Sequence, residues 1–263
     1  MIATEDLTLD QAREASADEL ALNLQSAPPA YLEGALDNPA LSEEHLLEIL
    51  RNPGTPAHLL QRIGIETSWT RSYAVKAGLV NHPSTPAASS LHLINYLFWR
   101  DHVKVADNYR LRPQLRRAAE NLLRDRLQDL ALGERITLAR IAGRGVINAL
   151  RTESNEMVVS ALLNNSRVVE EDLLLLCNRS HSPKVLATIG QAPRWRTRPT
   201  VRMALARNPR TPLVLAVSLL QGLSEEDLKD LAMRADLTQA LRQAALRILH
   251  ERQLSRSKRR LKS

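Results

Sequence analysis

The turn sequence Asn-Pro-x-Thr-Pro constrains the fold of this chain more than any other feature. It is complete at residues 52–56 and 208–212, and a copy with one inserted residue lies at 81–86. Proline cannot continue a helix, and it biases the preceding residue away from right-handed helical geometry. We therefore expect Asn208 to end its helix in the left-handed conformation and Thr211 to cap the next helix, with a proline at the first helical position. Each copy predicts two helices joined by a tight turn.

A longer repeat divides the chain into two halves, at about residues 35–125 and 161–250. Identical residues recur 126 positions apart: Trp69 and Trp195, Thr85 and Thr211, Pro86 and Pro212, Leu97 and Leu223, Asp101 and Asp227, Leu123 and Leu249. This spacing indicates an internal duplication. Because one helical pair cannot bury its apolar face alone, repeated pairs are expected to stack into a continuous core. We predict a right-handed α-solenoid over residues 21–253.

Composition favours an all-α chain. Apolar residues make up 44% of the sequence and charged residues 25%, as in folded domains, whereas aromatic residues make up only 3%. The core must therefore consist mainly of Leu, Ala, Val and Ile, and these recur at helical spacing. We expect residues 1–20 to form an acidic lead-in and the start of a helix, and residues 254–263 to form a disordered basic tail.

Several classes of chemistry find no support in the sequence. The single cysteine, Cys177, excludes an internal disulfide or a multi-cysteine metal site, and its apolar neighbours predict a buried side chain. No pair among the seven histidines has the spacing of a metal motif. We predict a non-enzymatic protein without cofactor or small-molecule substrate. The absence of a long apolar run or a signal-peptide pattern predicts a cytoplasmic protein without membrane contact.

Charge is distributed unevenly along the chain. Eleven acidic residues and one arginine give residues 1–50 a charge of −10, which leaves +17 for the remainder of a chain whose net charge is +7. This polarity favours an anionic partner or head-to-tail association of copies. Equivalent positions of a solenoid project along one side, so arginines there could line a track of phosphates. The candidate polyanion-binding residues are Arg194, Arg196, Arg198, Arg202, Arg207, Arg116 and Arg117. In the opposing interpretation, these arginines only keep an apolar solenoid in solution.

The most aromatic segment of the chain contains Tyr96, Phe98 and Trp99. These residues lack aromatic counterparts 126 positions later, and aromatic side chains are favoured at interfaces. They are the candidate interface, with packing in the core as the alternative. Trp69 and Trp195 occupy one repeat position, which favours a structural role between helices over base stacking.

Two segments carry a resemblance to a known family. RMALARNPRTPLVLAVSLL (202–220) and ILRNPGTPAHLLQRIG (49–64) resemble the leucine-rich-repeat variant, whose units share an Asn-Pro-x-Thr-Pro core followed by a leucine-rich helix. That resemblance implies a HEAT-like α-solenoid. Some members carry a cysteine-ligated cluster, which a lone Cys177 excludes here. The two-half layout also resembles uncharacterised bacterial repeat proteins, and this implies no activity.

Three functions are compatible with this pattern. The leading hypothesis is an interaction or scaffold module that binds another protein. The second is a nucleic-acid-binding solenoid that uses the arginines. The third is a HEAT-like DNA glycosylase, which would need an aromatic-lined cleft and a catalytic aspartate, and no residue of this sequence can be matched to that aspartate.

Overall fold

The structure, a computed structural model, describes the backbone of residues 7–260 and the side chains of residues 7–255. Over this range the chain forms eighteen α-helices and one 3-10 turn, Ile94–Tyr96, without a β-strand. The all-α prediction is confirmed. Within the described residues, no helix combines the length and the apolar character needed to cross a bilayer.

The helices belong to two compact units that divide between Arg126 and Leu127. The first unit contains α1 (Leu9–Glu14), α2 (Ala17–Asn23), α3 (Pro29–Ala35), α4 (Glu43–Arg51), α5 (Ala57–Ile65), α6 (Tyr73–Asn81), α7 (Ala87–Leu93), α8 (Trp99–Asp107) and α9 (Pro113–Asp125). The second contains α10 (Leu132–Ile141), α11 (Arg144–Leu150), α12 (Glu156–Leu163), α13 (Glu170–Arg179), α14 (Pro183–Gln191), α15 (Pro199–Arg207), α16 (Leu213–Leu220), α17 (Glu225–Met233) and α18 (Gln239–Arg260).

The second unit repeats the helix order of the first at the offset seen in the sequence. Helix α15 begins 126 residues after α6, and α17 begins 126 residues after α8. Individual hydrogen bonds recur at the same offset. Arg126 donates to the carbonyl oxygens of Asn95 and Leu97, and Arg252 donates to those of Gln221 and Leu223. The two units therefore serve as internal controls for one another.

Within each unit, a helix packs on the next helix, on the next but one, or on both, and α8 with α9 and α17 with α18 are among the closest pairs. In the first unit α1 packs on α3, α2 on α4, α4 on α6 and α6 on α8, while α7 packs on α9. In the second unit α10 packs on α12, α12 on α14, α13 on α15 and α16 on α18. The cores are made mainly of Leu, Ile, Val and Ala, as the low aromatic content requires. Each fully buried Leu or Ile contributes roughly 1.5–3 kcal/mol, so burial dominates the stability of such short helices.

Both ends of the chain differ from the expectation. Residues 9–20 are not a lead-in to the packed structure, because α1 already packs on α3 and Ala12 and Leu20 are buried. Ser16 starts a separate helix by a reciprocal capping box with Glu19. At the other end, α18 continues to Arg260 through most of the segment that we expected to be disordered. Residues 1–6 and 261–263 lie outside the described part of the chain.

The turn geometry corrects two predictions. Asn208 has φ −81° and ψ 117°, an extended conformation, and no described residue has a positive φ. Thr211 does not cap the following helix, because α16 begins at Leu213 and Pro212 occupies the N-cap position. The Thr211 hydroxyl instead donates a 2.6 Å hydrogen bond to the carbonyl oxygen of Leu205, in the preceding helix. Thr55 and Thr85 of the first unit make the same bond, to the carbonyl oxygens of Ile49 and Leu79.

Candidate interaction surface

The asparagines of the turns hold adjacent helical pairs together. Asn208 Nδ2 donates to the carbonyl oxygens of Cys177 and Ser180, while its Oδ1 accepts from the backbone N–H of Arg210. Asn38, Asn52 and Asn165 make the same three bonds, each to two carbonyl oxygens 23–28 residues earlier. The sequence could not reveal these bonds, because the acceptors are backbone atoms of a distant turn. The motif is therefore structural.

At the turn with the inserted residue, His82 replaces the asparagine. The backbone N–H of Ser84 donates to His82 Nδ1, so Nε2 carries the proton and donates to the carbonyl oxygen of Asn52 at 3.1 Å. An imidazole can thus supply one donor and one acceptor in place of the amide. This buried histidine serves the fold and is not part of a metal site.

Five of the seven candidate arginines have partners within their own unit. Arg194 donates to the carbonyl oxygens of Asn165 and Val168, and its guanidinium stacks 4.3 Å from the Trp195 ring. Arg207 forms an ion pair of 3.1 Å with Asp230.

Arg202 donates to the carbonyl oxygen of Arg196 at 2.7 Å, and Arg198 lies 4.0 Å from Glu170. Arg116 stacks 4.8 Å from the ring of Tyr109. Arg117 and Arg196 are the two remaining candidates, and both are exposed. Contacts within the fold therefore orient five of the seven guanidiniums, and two of them, Arg198 and Arg207, face a carboxylate.

The duplicated tryptophans contribute to the packing of their units. Trp195 is buried, and its indole N–H donates to the carbonyl oxygen of Leu163 at 3.1 Å. Trp69 is half-buried against the core of the first unit. Cys177 is buried as predicted, and burial raises the pKa of its thiol to about 12.

Asp172 is a buried carboxylate in the second unit. Arg144 binds both of its oxygens, at 2.7 and 3.0 Å, and Arg151 binds one at 2.8 Å. Burial opposes the ionisation of Asp172, but these hydrogen bonds outweigh it and the pKa of the carboxyl is lowered. With both arginines committed to it, the cluster ties α11 to α13.

The predicted aromatic interface separates into a buried and an exposed part. Trp99 is 8% exposed and belongs to the core, so its assignment to an interface is wrong. Tyr96 and Phe98 are 55% and 66% exposed. Phe98 precedes α8 as its N-cap residue, whereas Trp99 begins the helix and turns inward. Neighbouring positions at a helix start point in different directions, which sequence spacing alone does not decide.

Two further side chains, which the sequence did not single out, complete the exposed surface. Tyr73 lies 4.7 Å from Phe98 between ring centroids, with a tilt of 33°. Lys76 places its Nζ 5.4 Å from the Tyr96 ring. We call the surface of Tyr73, Lys76, Tyr96 and Phe98 the aromatic patch. Tyr73 could have been found by the same signal as Phe98, because the equivalent residue of the second half is Pro199.

Polar contacts hold the aromatic patch in place. The Tyr73 hydroxyl donates to the carboxylate of Asp101 and accepts a 3.1 Å hydrogen bond from the backbone N–H of Phe98. Burial favours the neutral form of Asp101, but hydrogen bonds from Lys104 and Tyr73 prevail and lower the pKa of this carboxyl. Burial together with the Asp101 carboxylate raises the pKa of Tyr73. The patch is therefore pre-organised.

The second unit shows that the fold does not require these aromatic residues. At the positions of Tyr96, Phe98 and Trp99 it carries Gly222, Ser224 and Glu225. The same helices form at the same offset. A Cβ at Gly222 would lie 1.6 Å from Nη1 of Arg202, so this guanidinium covers the space that Tyr96 fills in the first unit.

The equivalent part of the second unit is an acidic groove where α17 begins beside α18. Its volume is about 770 Å³. The residues that line it are Gln221, Ser224, Glu225, Glu226, Ile248, Glu251, Arg252 and Ser255. The Arg252 guanidinium donates to two backbone carbonyl oxygens, and three carboxylates against this one guanidinium make the lining acidic overall.

Comparison with known proteins does not assign this chain to a family. No family model, curated protein or solved structure matches it. Among the described residues, no group of three His, Cys, Asp or Glu side chains could hold a metal ion. The internal comparison of the two units is therefore the most informative comparison for this protein.

Proposed function

We propose that the protein is a cytoplasmic, non-enzymatic interaction module that binds another protein through the aromatic patch. The observation that carries this proposal is that Tyr96 and Phe98 are exposed in one unit, whereas the other unit builds the same helices with Gly222 and Ser224. The helices of this fold do not require exposed aromatic rings at these positions, and we attribute the rings to a contact outside the chain.

The chemistry of the patch suits protein recognition. Aromatic rings bury a large apolar area at low cost in conformational entropy and dominate the energetics of many interfaces. Here the Phe98 ring already rests on Tyr73, and the Tyr73 hydroxyl is fixed by Asp101. A partner would therefore meet an ordered surface and lose little freedom in fixing it.

The architectural part of the proposal is a right-handed α-solenoid in the manner of the leucine-rich-repeat variant. Next-but-one helix packing and the asparagine bonds between successive turns support it. In such arrays each helical repeat contacts only the neighbouring repeats, and exposed positions on one side are available for recognition.

The test is site-specific photo-crosslinking with two matched positions. A photoreactive phenylalanine analogue at position 98 is expected to crosslink a protein partner, whereas the same analogue at the equivalent position, Ser224, gives no such product. Phe98→Ser, which copies the second unit, should abolish binding of the identified partner without lowering the melting temperature. Equal crosslinking from both positions, or unchanged binding by Phe98→Ser, would disprove the proposal.

A further inference from the structure

An exposed aromatic ring lies among arginines where α8 passes into α9. Tyr109 is 81% exposed, although a tyrosine ring carries a large apolar area. Four arginines follow it within residues 110–117, at Arg110, Arg112, Arg116 and Arg117. We call Tyr109 and these four arginines the arginine–tyrosine surface.

The second unit forms the same turn and helix without this chemistry. In the order of Tyr109, Arg110, Arg112, Arg116 and Arg117, the counterparts 126 residues later are Ala235, Asp236, Thr238, Arg242 and Gln243. Four positive charges thus correspond to a net charge of zero, because Asp236 offsets Arg242. Helix α18 nevertheless begins 126 residues after α9. The fold therefore requires neither the exposed ring nor the three arginines that the second unit lacks.

Arg116, the one arginine that both units share, holds the ring of Tyr109. Its guanidinium lies over the ring, 4.8 Å from the centroid, within the range of a cation–π contact. The Nε of Arg116 is buried without a hydrogen-bond partner among the described residues, and so is the Nε of Arg242. Because this atom is buried with or without a neighbouring tyrosine, helix packing places the side chain. Tyr109 therefore rests on a fixed guanidinium and leaves most of its ring open.

The other three arginines of the surface are exposed, and their charges are not neutralised within the fold. Among the described residues, no carboxylate forms an ion pair with Arg110, Arg112 or Arg117. The first turn of α9 contains no acidic residue. Three guanidiniums next to an open ring can therefore bind an anion from outside the chain.

We infer that the arginine–tyrosine surface binds single-stranded nucleic acid. A base stacks on the open part of the Tyr109 ring, and the guanidiniums of Arg110, Arg112 and Arg117 contact the phosphates on either side of it. A single strand fits better than a duplex, because a base can lie flat on a side chain only when it is free of its own stack.

An acidic peptide is the competing partner, since carboxylates also pair with arginine. Such a peptide would use the guanidiniums but carries no group that requires an open aromatic ring, and exposed ion pairs contribute little by themselves. A ring beside unpaired arginines matches a polymer that offers a flat base and a phosphate at every step.

The arginine–tyrosine surface is separate from the aromatic patch. Phe98 precedes α8 and Tyr109 follows it, so a nine-residue helix about 13 Å long lies between them. Each surface can therefore be damaged without the other.

The experiment is fluorescence anisotropy of the full chain with a labelled oligothymidylate of roughly 12 nucleotides, over a salt series. Three phosphate contacts predict a log–log salt slope of about −2 for the wild type. Tyr109→Ala, which copies Ala235, should weaken binding on the order of tenfold and leave this slope unchanged. Tyr109→Phe keeps the ring and should retain the affinity. Arg112→Thr, which copies Thr238, should move the slope towards zero by about 0.7.

Matched controls separate the contributions of ring, charge and fold. An abasic strand of the same length keeps the phosphates, so we expect it to bind more weakly and to be insensitive to Tyr109→Ala. Arg210→Thr removes an exposed arginine of a turn in the second unit and should change neither affinity nor slope. Phe98→Ser should likewise leave oligonucleotide binding unchanged. Thermal unfolding verifies that each variant is folded.

Three outcomes overturn the inference. The first is no binding of the oligothymidylate at low ionic strength, where electrostatic attraction is strongest. The second is a folded Tyr109→Ala protein with the affinity of the wild type. The third is equal affinity for oligothymidylate, the abasic strand and polyglutamate, which would make this surface a site for acidic peptides or for polyanions in general. None of these outcomes alters crosslinking at position 98, so the interaction module is tested separately.

Discussion

The side-chain amide of Asn208 donates a 2.6 Å hydrogen bond to the carbonyl oxygen of Cys177, thirty-one residues earlier in the chain. The same nitrogen also reaches the carbonyl oxygen of Ser180, and the amide oxygen accepts from Arg210. One side chain therefore satisfies backbone groups of two successive turns. Each of these carbonyls lies near a helix end, where no intrahelical donor is available.

Replacing Asn208 should destabilise the second unit through these bonds. Asn208→Ala is expected to lower the free energy of unfolding by about 2 kcal/mol, because two carbonyl oxygens lose their donor. Asn208→Asp should cost at least as much, since a carboxylate cannot donate and would face both carbonyls. Urea unfolding provides the measurement. Asn178→Ala, at an exposed position near the same turn, is the control. Equal free energies of unfolding for Asn208→Ala, Asn208→Asp and Asn178→Ala would show that the Asn208 hydrogen bonds do not stabilise the protein.

Thr211 offers a test between capping and donation. Because its hydroxyl donates to Leu205, Thr211→Asp should lose about 1 kcal/mol or more, whereas Thr211→Ser should retain most of the stability. If the residue were an N-cap, Asp would serve as well as Thr. Chemical denaturation of the two variants distinguishes the mechanisms. A Thr211→Asp protein as stable as the wild type would show that residue 211 acts as an N-cap.

Phe98 and Trp99 are adjacent in sequence but should respond differently to truncation. Trp99→Ala removes a buried indole and is expected to cost about 3–5 kcal/mol. Phe98→Ser should change the free energy of unfolding by no more than about 0.5 kcal/mol, since most of the ring is exposed and the backbone N–H that binds Tyr73 remains. Calorimetric melting compares them. A large loss of unfolding free energy in Phe98→Ser would show that this ring stabilises the core, and it would contradict its assignment to an interface.

His102 should make stability fall as the pH drops below neutrality. The ring is buried, with Nε2 donating to the carbonyl oxygen of Ile94 at 2.8 Å, and Nδ1 has no hydrogen-bond partner among the described residues. Burial lowers the pKa of His102 in the folded state, assisted by the charge of Arg126. The unfolded chain then binds the proton first, so stability falls as pH drops below about 6.5, the ordinary histidine value.

His102→Leu copies Leu228, the equivalent residue of the second unit, and should flatten this dependence. Urea midpoints at pH 7 and pH 5 provide the measurement. An unchanged pH slope in the variant would assign the effect to another group.

Polyanion binding is the alternative function, and salt dependence tests it. Binding through all seven candidate arginines predicts a log–log salt slope of about −6, whereas Arg117 and Arg196 alone predict about −2. For duplex DNA we expect a slope well short of −6, because Arg198 and Arg207 face carboxylates and the other three arginines are oriented by contacts within the fold. Fluorescence anisotropy over a salt series measures it. A slope near −6 would favour the nucleic-acid hypothesis over the interaction module.

Local features of the sequence predicted much of this fold. Proline positions and apolar spacing determine where helices stop and start, because both act within one or two turns of backbone. The 126-residue offset between Trp69 and Trp195 predicted two equivalent halves, and helices α6 and α15 begin at that offset. The boundary at Ser16 was missed because a capping box overrides continuous helical spacing.

The candidate surface depended on contacts that no local pattern contains. Tyr96 and Phe98 are exposed, whereas Trp99 is buried. Helix α8 begins at Trp99, and its first residue points into the core while Phe98, at the N-cap position, does not. The arginines looked like one basic track in the sequence, yet Arg207 pairs with Asp230 and Arg194 binds carbonyl oxygens near the preceding turn.

The sequence by itself determined that the chain is helical, that its helices are separated by proline turns and that identical residues recur 126 positions apart, since these follow from backbone sterics and from a spacing that can be counted. Only the tertiary structure decided what the turn residues bind and which aromatic rings stay outside. The partners of Asn208 lie 28 and 31 residues away, and their position depends on how the helices between them pack. Burial of a ring is likewise a property of its neighbours in space, which side-chain identity alone does not fix.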